Sequence, residues 1–189
     1  MKTRFEDLAT QEAGLTKLRD LISSGSVDPQ IITAARAIAV ANCPDRDDEC
    51  QVQAIFEAVK HGTKAVPWLR RGLRYISDPR PFDTFATCAA IIEMCQKGAY
   101  AADCDEHTVL VGSLVAAIGF QVGARAWGPS KSQDGEYTHV YCVVALPRSP
   151  PGGKWPKSYS GHGMDTTEAH EVGWEPPGGH VMTAWLSDT

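Results

Sequence analysis

Apolar positions in the first half of the chain recur at helical spacing. Phe5, Leu8, Leu15, Leu18 and Leu21 lie near one face of a helix over 5–22, which stops at Ser23, Ser24 and Gly25. This charged, amphipathic segment reads as a loosely docked helical extension over 1–27, ahead of a domain over 28–189 within one domain overall. Asp28 and Pro29 open a second helix, with proline in its first turn. Its apolar set is Ile31, Ile32, Ala35, Ile38 and Ala39, and it ends near Cys43 and Pro44. After the acidic loop 45–49, a third helix over about 50–60 places Val52, Ile55, Phe56 and Val59 on one face, and Gly62 ends it. The stretch 68–77 is ambiguous, with a short extended piece at 73–76, and Pro79 and Pro81 keep the region around them irregular. A fourth helix is expected over 84–96, with Phe85, Cys88, Ile91, Ile92 and Cys95 facing inward.

The strongest local signal lies just beyond that helix. Asp103 can cap a helix while Glu106, three positions on, reaches back to the cap amide. Behind this box run Val111, Leu114, Val115 and Ile118, and Gly119 supplies the stop, so this mostly apolar helix should be central. From Phe120 the period changes to two: Phe120, Val122, Ala124 and Ala126 alternate with Gln121, Gly123, Arg125 and Trp127. After a polar loop at 130–135, residues 137–146 read as a second strand, rich in β-branched and aromatic side chains. Residues 147–156 are too dense in Pro and Gly for a helix, and short extended pieces are expected near 159, 163–166 and 180–186. Helices followed by antiparallel strands make an α+β domain.

Composition narrows the classes of function. At 189 residues the chain suits one well-packed core, and 43% hydrophobic with 22% charged residues is a globular balance. A net charge of −5 and the absence of a basic stripe argue against a nucleic-acid partner; Arg70, Arg71 and Arg74 read as a solvated face. No apolar window is long enough to span a bilayer and no signal region opens the chain, so a cytoplasmic or virion-associated protein with reduced thiols is expected. Cys43/Cys50 and Cys88/Cys95 share a seven-residue step, which spans roughly 10 Å along a helix, too far for one zinc. Cys88 and Cys95 therefore read as core thiols; Cys43, beside Pro44, is left open.

The candidate nucleophile is Cys104. At the first position of a buried helix, unpaired amides and the helix dipole favour a thiolate and can hold an oxyanion. Asp103, Asp105 and Glu106 oppose that charge, so an imidazole partner is required. His139, on a strand with Tyr137 and Tyr141 on the same face, is the candidate base, and Asp165 can accept its other ring N–H.

The motifs around these three residues resemble the transglutaminase-like superfamily. Ala102-Asp103-Cys104-Asp105-Glu106-His107, running into Leu114 and Gly119, resembles its nucleophile motif, in which a Gly-x-Cys-Asp stretch opens a buried helix. Tyr137-Thr138-His139-Val140-Tyr141 is similar to its histidine strand and Met164-Asp165-Thr166-Thr167 to its closing Asp-x-Thr element. Residues 52–59 resemble the helix before the core, and 73–78 the Tyr-hydrophobic-x-Asp-Pro approach. The resemblance covers about residues 30–186 and is nearest to small prokaryotic and phage-borne members. Ala102 stands where the family has glycine, and Val140-Tyr141 where it often has tryptophan. It implies a papain-like α+β fold, with N-terminal helices and a buried nucleophile helix on a small antiparallel sheet. It further implies a catalytic triad of Cys104, His139 and Asp165 acting on a protein or peptide amide, with no cofactor and no metal.

Other readings stand beside these. His107, one turn after Cys104, reads as a packed or exposed helix histidine more readily than as a partner of the site. Cys104, His107, His139 and His162 together could bind zinc, although no tight Cys/His spacing repeats. Trp68, Trp127 and Trp174 suit core packing or the walls of a groove, and Gln96 suits a helix end or an oxyanion donor. The Gly- and Pro-rich stretch 173–179 suits a cover for the site or a partner contact. An inactive module of the same fold, in a phage particle or other protein assembly, is the alternative to an enzyme.

Overall fold

The computed structural model describes residues 8–77, 85–129, 137–148 and 159–187. The expectations for Phe5, Asp78, the prolines at 79 and 81, Thr84 and the loop 130–135 lie outside the described residues, as does most of 147–156.

Helices α1 (Leu8–Ser26), α2 (Pro29–Asn42) and α3 (Asp48–His61) come first, followed by a 3-10 turn at Pro67–Leu69 and a two-residue strand β1 (Arg74–Tyr75). Helix α4 (Cys88–Gln96), strand β2 (Ala101–Ala102) and helix α5 (Cys104–Ala117) precede strands β3 (Val122–Gly128), β4 (His139–Val144), β5 (His162–Met164) and β6 (His180–Trp185). The chain is thus a mixture of helix and sheet, in keeping with the α+β class. Caps set the starts. Asp28 accepts from the amides of Gln30 and Ile31 with Pro29 at the first helical position. Asp47 accepts from Cys50 at 2.7 Å, so α3 begins two residues earlier than its apolar pattern suggests.

Helix α5 is the axis of the core, buried without a break from His107 to Val115. It packs on α1, α2, α3, β3 and β4. The expectation of a loosely docked α1 does not hold. Leu15, Leu18, Leu21 and Ile22 belong to the same buried cluster as α5, and the Ser113 hydroxyl donates to the Ile22 carbonyl at 3.3 Å. Gly112 permits this approach, since a Cβ there would stand 3.0 Å from Ile22 Cδ1. Burying four such side chains is worth about 2 kcal/mol each, more than a detached helix could supply by propensity.

The main sheet is antiparallel in the order β5-β4-β3-β6. Trp127 lies opposite His139, Arg125 opposite Tyr141 and Ala124 opposite Cys142. Val122, Ala124, Val140, Cys142 and Val144 join the α5 core. Arg125 and Tyr141, on the alternate positions, are also buried, under the chain that carries Glu175. A small parallel pair, β1 with β2, sets Tyr75 beside Ala102, next to the start of α5.

The two cysteine pairs part company. Cys88 and Cys95 are buried thiols of α4, as expected. Cys43 and Cys50 form a disulfide with Cα atoms 5.9 Å apart, against the expectation of reduced thiols. The chain reverses between α2 and α3, so seven residues close a loop instead of running along a helix. Among the described residues, no helix is long and apolar enough to cross a membrane.

Candidate active site

The site is built at the start of α5. Asp103 accepts from the Asp105 amide at 2.9 Å, and Glu106 accepts from the Asp103 amide at 2.9 Å, closing the capping box. Cys104 is thereby the first helical residue, partly exposed, with Thr108 donating to its carbonyl at 2.7 Å. Burial, then Asp105 and Asp103, push the Cys104 thiol well above its ordinary pKa; the backbone amides of Val140 and of Cys104 itself counter this in part.

His139 opens β4, immediately before the residue whose amide favours the thiolate. Its Nε2 lies 2.6 Å from Asp165 Oδ2, and Asp165 is buried. A carboxylate only accepts, so in the neutral ring Nε2 carries the proton and Nδ1 keeps the lone pair. The other carboxylate oxygen accepts from the amide and the hydroxyl of Thr167, at 3.0 and 2.6 Å. Burial disfavours the Asp165 carboxylate, but His139 and Thr167 outweigh it and hold the carboxyl below its ordinary pKa. No hydrogen bond joins the Cys104 thiol to His139; the sulfur lies 4.0 Å from Asp105 Oδ1. Of the three residues singled out in the sequence, the structure pairs His139 with Asp165 and sets Cys104 beside that pair without bonding it.

The imidazole stacks on Tyr141, ring centroids 5.8 Å apart, with Trp127 as its cross-strand neighbour. The Tyr141 hydroxyl donates to Glu175, which accepts from Arg125 at 2.6 Å; Arg125 also donates to Thr183 at 2.9 Å and to the Ser160 carbonyl. The 173–179 stretch is therefore packed on the sheet through Glu175, and the Gly178 carbonyl accepts from the Trp127 indole at 2.9 Å.

The other readings of these residues resolve away from the site. The set Cys104, His107, His139 and His162 is not assembled for zinc. His162 pairs with Val144, five positions along β4 from His139 or roughly 16 Å at strand rise. Asp103, Cys104 and Asp105 do gather their side-chain ends within 4.8 Å, but Asp103 already serves as the helix cap. Trp68 lines a cleft of about 350 Å³ with Pro29, Thr33 and Val66 that includes none of the three candidate residues. Trp174 stacks on His170 at 3.9 Å, and Gln96 is exposed at the end of α4.

Sequence reasoning leaves Tyr75, His107, Thr166 and Glu175 out of the site. Tyr75 carries a signal, as the tyrosine of the approach element. Its hydroxyl pKa is raised by burial and then by Cys104 and Asp103, and its strand partner Ala102 lies two residues before Cys104. His107 stands one turn after Cys104 and Thr166 beside Asp165, but nothing local marks Glu175. Family models, curated proteins and solved structures yielded no match to this chain.

Proposed function

We propose that the chain is a transglutaminase-like thiol enzyme that transfers acyl groups from amide bonds to water or an amine. Cys104 is its nucleophile, His139 its base and Asp165 the group that orients the base. The observation that supports this best is the 2.6 Å pair of half-buried His139 and buried Asp165 at the strand end whose next amide faces the thiol. In the reaction, Nδ1 of His139 takes the thiol proton as sulfur attacks the amide carbonyl. The oxyanion is held by the Cys104 amide, since the capping box takes up the amides of Asp103, Asp105 and Glu106. The imidazolium returns its proton to the departing amine as the C–N bond breaks, leaving a thioester. Water or an amine then attacks the thioester, giving up its proton to His139 and releasing the thiol. Contacts between nucleophile and base often close only when substrate binds, as this mechanism requires here.

A second reading has its own support: an inactive transglutaminase-like module, structural or binding, of the cytoplasm or a virus particle. The missing thiol–imidazole bond and the raised Cys104 pKa favour it.

The test is the pH profile of alkylation by limiting iodoacetamide, mapped residue by residue. Burial pushes Cys88 and Cys95 to about 11 and Cys142 to about 12, and Cys43 and Cys50 are bonded, so Cys104 stands over a low background. Selective labelling alone is then uninformative. The enzyme reading expects rapid labelling at mildly acidic pH that His139→Ala abolishes. Labelling that rises only at alkaline pH, indifferent to His139→Ala, decides for the inactive module.

A further inference from the structure

His107 is 1% exposed, one turn beyond Cys104, and its Nδ1 lies 2.8 Å from the Thr166 hydroxyl. Its other nitrogen, Nε2, is buried and has no hydrogen-bond partner among the described residues. Leaving that atom unpaired costs folding free energy, which an apolar side chain of similar size would avoid. The Nδ1 bond to Thr166 is the polar contact that the histidine makes here. It spans the two halves of the site: α5 carries Cys104 on one side, and Thr166 follows Asp165 on the other. The charges of both Asp165 and His139 are felt at the His107 ring, and Tyr75 meets it edge-on with centroids 6.5 Å apart.

We propose that His107 is a positioning residue: its bond to Thr166 ties the nucleophile helix to the Asp165 segment and so sets where the His139–Asp165 pair stands against Cys104. The assignment rests on the function proposed above. Burial lowers the His107 pKa to about 4, so the ring stays neutral across the working range and acts through geometry alone. His107→Asn keeps a polar atom near the position of Nδ1. His107→Phe fills the space without the bond, and Thr166→Val removes only the hydroxyl.

The experiment uses the full chain and two readouts, NMR titration of the His139 imidazole and the pH profile of Cys104 alkylation. His107→Phe and Thr166→Val should each perturb the His139 titration, because Asp165 is held less firmly against the ring. Alkylation should slow about tenfold, since small misplacements of reacting groups are costly. His107→Asn should stay within about threefold of the native rate. Val111→Ala, a plain loss of volume in the same helix, should leave the midpoint alone. The proposal falls if Thr166→Val leaves the His139 titration unchanged, or if Val111→Ala shifts it equally. Native labelling indifferent to His139→Ala would overturn the enzyme reading, and the imidazole titration would still decide the brace.

Discussion

The two faces of the β3–β4 hairpin are buried by different means. Against α5, Val122, Ala124, Val140, Cys142 and Val144 form part of an apolar core whose stability grows with the area removed from water. On the other face, Arg125 and Tyr141 are buried through a hydrogen-bonded set with Glu175, Thr183 and the Ser160 carbonyl. The first face tolerates a change of shape at the cost of a cavity. The second is directional, so losing one partner strands the others. Stacked on Tyr141, His139 belongs with the directional face, whereas Cys104 belongs to the helix on the apolar one. The candidate site thus straddles a boundary between non-directional packing and fixed hydrogen bonds, and the start of β4 is where the two meet.

That contrast can be broken from either side. The largest effect is expected from Leu114→Ala on α5, fully buried, at about 4 kcal/mol in chemical denaturation. Its cost should fall on stability while the His139 titration stays in place. Acid comes next. The folded protein holds His107 near 4, below its ordinary 6.5, so the unfolded chain binds the proton first. Stability from this group is complete above pH 6.5 and drains away as the pH falls toward 4, by about 3 kcal/mol at most. His107→Asn should flatten that part of the stability curve, measured by urea unfolding across the window. Asp165 is also depressed, so its contribution is lost later, as the pH drops through its folded value.

On the directional face, Glu175→Gln should cost about 2 kcal/mol by weakening the pairing of buried Arg125. Adding Arg125→Met to that variant should recover part of the loss in a double-mutant cycle; strict additivity would show that the two residues act independently. The smallest effect is Thr167→Val, about 1 kcal/mol, because the Asp165 oxygen keeps its backbone donor. It should raise the Asp165 pKa and move the acid loss to higher pH.

Much of this molecule is written in short-range pattern. Asp28 before Pro29 and the Asp103–Glu106 box start α2 and α5 where the sequence places them, since a cap and its amides lie within three residues. The apolar run behind Cys104 marks α5 as central for a similar reason: a helix without a polar face must be surrounded. The extended character of β3 and β4 comes from their period of two. The strand order and the role of 173–179 have no such source, because Pro and Gly there erase the periodicity that would show a face.

Longer reach explains the remainder. His107 and Thr166 are 59 residues apart, and Arg125 and Glu175 are 50 apart. Nothing at either end announces such a partner, so in the sequence His107 looks like an ordinary helix histidine. Cys43/Cys50 and Cys88/Cys95 share one spacing; a chain reversal joins the first pair, while a continuous helix keeps the second apart. By itself, then, the sequence determined the helices, the starts of α2 and α5, the central place of α5 and the candidates for thiol chemistry, all through interactions between near neighbours, while α4 starts at Cys88 and not at 84 because Thr87 caps it. Tertiary structure alone decided which residue meets His107, what shelters His139 and which cysteines join, because those outcomes depend on where the chain turns back on itself.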